Sequence, residues 1–294
     1  MSGRSSDSSN RSNIRFTDEL RIKAGDQWDR VIHHRFTKEL ANTNKGNSNK
    51  GNNNNNDDDD DINFKQNVLK PYLIQDHRFL DSFVVLLASI IACVPTLQDR
   101  IPGCQFLALI TGSENNYFER SFTELGVTNE ERSIDRTPNA DVTTRFCTLM
   151  RDVAKYGHLE EMLAVIVVCE WSYLSWATIV LQEDDEIKKQ QQGGSEKLSR
   201  INRDDFLIYE WITLHSGTEF ESVVNYLREL LDREGTKLLE EQETTTTAAS
   251  DDDDDKKQNN NKERLIACEK RFLETIQLEE EFFDHFYTNN KESE

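Results

Sequence analysis

Cys169, Glu170 and Tyr173 place a thiol, a carboxylate and a phenol within five residues of each other, inside the apolar stretch Leu163 to Trp176. On a helix, Cys169 and Tyr173 lie one turn apart on one face, and Glu170, three residues before Tyr173, can share it. No Gly or Pro interrupts the stretch. Buried polar groups need partners, and an unpaired one costs roughly 2 kcal/mol or more. A thiol flanked by a carboxylate and a phenol suits covalent attack on an electron-poor carbon with proton delivery. Nearby negative charge raises a thiol pKa, so attack requires that the Cys169 proton pass to a carboxylate. The plainer reading is a core helix with a structural Cys and a hydrogen-bonded Tyr, since free Cys is among the most buried residue types.

Two more acids sit inside apolar helical stripes. Asp76 belongs to Tyr72, Asp76, Phe79, Leu80 and Phe83; its plainer role is a stripe-edge acid paired with Arg78 or with nothing. Glu279 belongs to Phe272, Ile276, Glu279, Phe282, Phe283 and Phe286. Converging in the middle of a bundle, these acids and the thiol would line a ligand site of the kind built from facing helices.

The elements that must bring them together read as helices throughout. Helical spacing runs from Phe16 to Leu40, and from near Phe64 to Cys93, where Pro95 stops it. Another helix is expected over 103–125, after Pro102 and before a Gly126 cap. Asp141 or Thr143 opens the next, Gly157-His158 is a joint, and Leu159 starts the central helix. Shorter patterns cover Phe206 to Ser216, Phe220 to Leu239 and Leu265 to Phe286. No alternating strand pattern is present. The expected fold is all-α, a single multi-helix bundle over 14–288. Low-complexity inserts are expected at 42–61, 182–204 and 241–262, between tails at 1–13 and 289–294.

Composition narrows the function classes. The net charge is −20, and two runs, Asp57–Asp61 and Asp251–Asp255, supply ten of the negative charges. Clustered Lys and Arg for capturing nucleic acid or an anionic membrane are lacking. Neither a signal peptide nor an unbroken apolar run of about 18 residues is evident. Five Cys without CxxC spacing point to free thiols in a reducing compartment, with no metal site and no cofactor called for.

Several ordered segments resemble the TenA (thiaminase II) family, all-α proteins of the haem-oxygenase-like superfamily. These are Phe16 to Arg21 with Trp28 and His34 to Leu40; Tyr72-Leu-Ile-Gln-Asp76; the Cys169-x-Trp171-x-Tyr173 helix; Tyr209-Glu-Trp211-Ile with Phe220; and Glu279-Glu-Glu-Phe282-Phe283-Asp284. The resemblance implies a cytosolic, homo-oligomeric hydrolase. It would convert aminomethylpyrimidine or thiamin to hydroxymethylpyrimidine in thiamin salvage, binding a small pyrimidine ligand. Cys169 would add to the ring, Glu279 would act as acid and base, and Asp76 would hold the ring's amino and nitrogen edge. Tyr173, Phe79 and Tyr209 would complete the substrate site. Glu170 is a rival to Cys169, because one subgroup lacks the Cys and uses a Glu near this place. Three positions depart from the family pattern: Phe79 and Phe283 replace a Tyr and a Trp, and Ile208 stands where the family's Tyr is expected, with Tyr209 shifted by one and pointing about 100° away. A non-catalytic TenA-like binding protein is the alternative. A haem oxygenase would need a Gly-rich distal helix, and residues 162–180 contain no Gly; a di-iron oxidase would need Glu-x-x-His spacing.

Overall fold

The computed structural model of the protein describes residues 14–42, 61–190, 199–247 and 252–288, and every regular element among them is a helix. Both expected tails, residues 43–60 of the first insert, and residues 191–198 and 248–251 lie outside the described residues. The all-α expectation matches the architecture.

The first helical pattern is divided into α1 (Phe16–Ala24), α2 (Asp26–Ile32) and α3 (Arg35–Leu40). Gly25, at φ +54°, makes the first break, a backbone state open to glycine. His34 makes the second: its Nδ1 accepts from the Phe36 N–H at 3.1 Å and caps α3. A π-helical turn, Lys65–Leu69, leads into α4 (Lys70–Cys93). Next come α5 (Leu97–Leu109), a second π-turn (Ile110–Glu114) and α6 (Asn115–Glu124). The helix expected to start after Pro102 begins earlier, because the Thr96 hydroxyl caps it by accepting from the Asp99 N–H at 3.1 Å. A short α7 (Asn129–Arg132) precedes α8 (Asp141–Tyr156) and the long α9 (Leu159–Gln190). The chain closes with α10 (Phe206–Leu214), α11 (Gly217–Thr247) and α12 (Asp252–Thr288).

Helix α9 is the centre, packed against α12, α11, α4 and α2. Every residue from Glu160 to Cys169 is buried, as expected for a helix apolar on all sides. One 18-residue window of α9 is apolar enough to cross a membrane, although the sequence holds no unbroken apolar run of that length; 72% of the window is buried inside the protein. The two acids at its start are paired from α12. Arg264 donates to both oxygens of Glu160 at 2.7 and 2.8 Å, and Arg271 pairs with Glu161 at 3.3 Å. Their position in the first helical turn also suits the helix dipole.

Two polar segments read as connections are helical in part among the described residues. Residues 182–190 continue α9. There Asp184, 1% exposed, binds Lys188 and receives Ser199 Oγ at 2.9 Å, the Arg200 N–H at 2.7 Å and Arg203 at 3.2 Å. An acid with that many donors anchors the returning chain. In the segment read as 241–262, α11 continues to Thr247 and α12 starts at Asp252, with Asn261 donating to Glu241 at 2.9 Å between them.

Candidate active site

Four segments converge on one cavity. Asp76, Phe79, Leu80 and Phe83 enter from one face of α4, at the spacing that puts them on a single stripe. Cys169, Glu170 and Tyr173 enter from α9, while Ile110 and Glu114 enter from the second π-turn. Trp211 and His215, four residues apart at the end of α10, close the wall. No Lys or Arg lines it.

Of the residues singled out in the sequence, five lie in this wall: Asp76, Phe79, Cys169, Glu170 and Tyr173. Glu279, 2% exposed, stands behind Cys169, in contact with the thiol from α12. Its Oε1 has no hydrogen-bond partner. Tyr209 does not belong to the cavity. Two residues before Trp211, it points to the far side of α10, where its hydroxyl meets Arg203 at 3.2 Å and its ring lies 5.2 Å from that guanidinium. Ile208, fully buried, takes the inward direction instead. Asp76 does not pair with Arg78, which donates to the carbonyls of Thr137 and Arg132 at 2.7 and 3.1 Å. Glu114, Trp211 and His215 were not foreseen as wall residues.

Charge is expensive here, and the pKa directions say so. Burial raises Asp76 to about 8, opposed by its contact with Tyr72. Burial raises Glu114 to about 8, helped by the charge of Asp76. Glu279 also stands at about 8, through burial and then against its contact with Cys169. Burial pushes Glu170 well above the carboxylate range, followed by the charges of Glu114, Glu279 and Asp76. The Cys169 thiol is likewise pushed up by burial first, then by Glu279 and Glu170. Burial holds His215 down at about 4. Its Nδ1 lies 2.9 Å from the Trp211 carbonyl, which can only accept, so Nδ1 carries the proton and Nε2 is the lone-pair nitrogen. The Tyr72 and Tyr173 hydroxyls meet at 2.6 Å, which fixes both rings beside Asp76 and Cys169. The site therefore holds its protons at neutral pH: carboxylic acids able to donate, a protonated thiol and a neutral imidazole. Among the described residues, no group of three or more His, Cys, Asp or Glu is arranged to hold a metal ion.

The model of the TENA/THI-4/PQQC family matches residues 63–250, more than half of the chain and the segment that carries every wall residue. The chain belongs to the TENA/THI-4/PQQC family. A curated member of similar sequence is the aminopyrimidine aminohydrolase of Halalkalibacterium halodurans, 24% identical over 229 residues, or 77% of this chain and 84% of that protein. Among solved structures, the TenA homologue protein from P. horikoshii OT3 superposes with a TM-score of 0.61 at 17% identity, covering 94% of this chain and 99% of that one. A TenA homologue from Pyrococcus furiosus gives 0.59 at 20% identity, covering 92% and 100%. At such identities these structures establish the TenA fold; the activity has to be argued from the cavity.

Proposed function

We propose that this TenA-family chain is a hydrolase of aminopyrimidines, converting aminomethylpyrimidine or thiamin to hydroxymethylpyrimidine in thiamin salvage. The observation that carries the reading is a cavity lined by a thiol, three carboxyls and a neutral imidazole, with a fourth carboxyl behind the thiol and no Lys or Arg among the described lining residues. A site of that kind suits a ligand that brings positive charge, as protonated aminomethylpyrimidine and thiamin both do. The curated relative of similar sequence supports the same direction.

The chemistry follows from the proton inventory. The substrate cation offsets the burial penalty, and the smaller like-charge repulsion, that keep the carboxyls protonated, and one of them ionises. That carboxylate, with Glu279 best placed, takes the Cys169 proton as sulfur bonds to an electron-poor ring carbon beside the aminomethyl arm. The ring's electrons expel the leaving group, ammonia from the protonated aminomethyl arm or the neutral thiazole from thiamin. Water adds to the exocyclic carbon, and departure of the thiolate restores the aromatic ring. Asp76 would hold the ring's amino and nitrogen edge, Tyr173 the region of the thiol, and Phe79 a ring face. Glu170 shares the cavity with Cys169 and stays the rival nucleophile or base.

The test is incubation of the intact chain with aminomethylpyrimidine, its N-formyl derivative and thiamin, scoring hydroxymethylpyrimidine. Cys169→Ala and Glu279→Gln are each expected to lower kcat by about 100-fold or more. Activity that survives Cys169→Ala and dies with Glu170→Gln moves the chemistry to Glu170. Absence of product from every substrate would leave a non-catalytic TenA-like binding protein.

A further inference from the structure

The polar groups of the cavity fall into two sets. Cys169 is answered by Glu279, and Asp76 by Tyr72, whose hydroxyl is held in turn by Tyr173. Glu114 and Glu170 have no such answer. Neither makes a hydrogen bond or ion pair among the described residues. They come from different elements, the second π-turn and α9, yet line one cavity, and after burial the charge of Glu114 is the strongest influence on Glu170.

A second orphan lies in the same wall. Trp211 is 1% exposed, and its indole N–H has no acceptor among the described residues. Polar groups left without partners cost free energy, and the half-buried carboxyls of Glu114 and Glu170 and the buried Trp211 N–H line one cavity, where a ligand can complete all three. Two neighbouring carboxyls offer several acceptor oxygens; one indole offers a single donor. The complementary ligand carries a cationic group with several N–H donors and a lone-pair acceptor on a flat ring.

We propose that Glu114 and Glu170 form a carboxyl pair that receives the protonated amino group of the substrate, with the Trp211 N–H taking a ring acceptor, so that the site selects heteroaromatic primary ammonium compounds over quaternary ones. The proposal rests on the aminopyrimidine reading and sharpens it. An ammonium fills the acceptor oxygens with its three hydrogens. The thiazolium nitrogen of thiamin has the charge but no hydrogen, so those oxygens stay unpaired.

Equilibrium binding by calorimetry tests this on the full chain, with Cys169→Ala present throughout to halt turnover. The probes are aminomethylpyrimidine, hydroxymethylpyrimidine and thiamin. The amine is expected to bind about tenfold or more tightly than thiamin. Adding Glu114→Gln should weaken the amine by about 10- to 100-fold and leave the alcohol and thiamin within about twofold. Retained alcohol binding shows that the cavity is folded in the variant. An equal loss for all three probes, or no loss for the amine, overturns the pair's role while leaving the hydrolase reading to its own assay. A parent chain that binds neither pyrimidine overturns both.

Discussion

At the scale of single residues, the cavity is a store of protons, and this sets a pH dependence of stability. Asp76, Glu114 and Glu279 stand at about 8 in the folded chain, against roughly 4 in an unfolded one. Between those values the folded state binds more protons than the unfolded state, so stability falls as pH rises. His215, held at about 4, works in the opposite sense, but only up to its unfolded value of about 6.5. Between about pH 6.5 and 8 the carboxyls therefore dominate the dependence contributed by the cavity. The thermal midpoint of the protein should decline across that window, and Glu170, held well above the carboxylate range, carries the decline beyond it. Glu114→Gln, which removes one raised carboxyl, should flatten the decline. A midpoint that rises with pH in both proteins would count against protonated cavity acids.

At the scale of elements, two local features aim the site. The first is the joint between α8 and α9. At Gly157 a Cβ would lie 2.7 Å from the backbone carbonyl oxygen of Val153, so no side-chain motion can relieve the contact. Gly157→Ala is expected to destabilise by about 1–3 kcal/mol through a forced backbone shift, read as a lowered thermal midpoint. Wild-type stability in that variant would show that the joint yields without cost. The second feature is the π-turn at Ile110–Glu114. Phe106, Ile110, Phe118 and Phe122 are all buried, and with Glu114 they form a series at steps of four. Four residues of α-helix rotate about 40° past a full turn, so such a series drifts off one face. A wider π-turn takes up the excess and keeps Glu114 aligned with the buried stripe.

At the scale of the whole molecule, every residue of the cavity wall falls outside the low-complexity segments of the TenA chain. The described chain stops at Asn42 and resumes at Asp61, close to rings that pack together, with Phe36 and Phe64 centroids 6.3 Å apart. Replacing residues 43–60 with a short Gly/Ser linker should raise stability by no more than about 1 kcal/mol, since each doubling of loop length costs about 0.6 kcal/mol. Pyrimidine binding should be unchanged; its loss would assign the insert a part in the site. Sequence alone determined that the chain is an all-α bundle, because apolar spacing at three and four residues is a local property. It also determined that Asp76, Cys169, Glu170, Tyr173 and Glu279 are polar groups on buried faces. The Trp211 and His215 pair was legible as an i, i+4 spacing, and Glu114 as the one acid in the series of four. What sequence could not supply was distance between elements. Only the tertiary structure decided that the π-turn meets α9 at a common cavity, that Glu279 stands behind the thiol, and that Tyr209 turns away to Arg203. Helical periodicity fixes which face a side chain takes; only the packing of one helix on another fixes what that face meets.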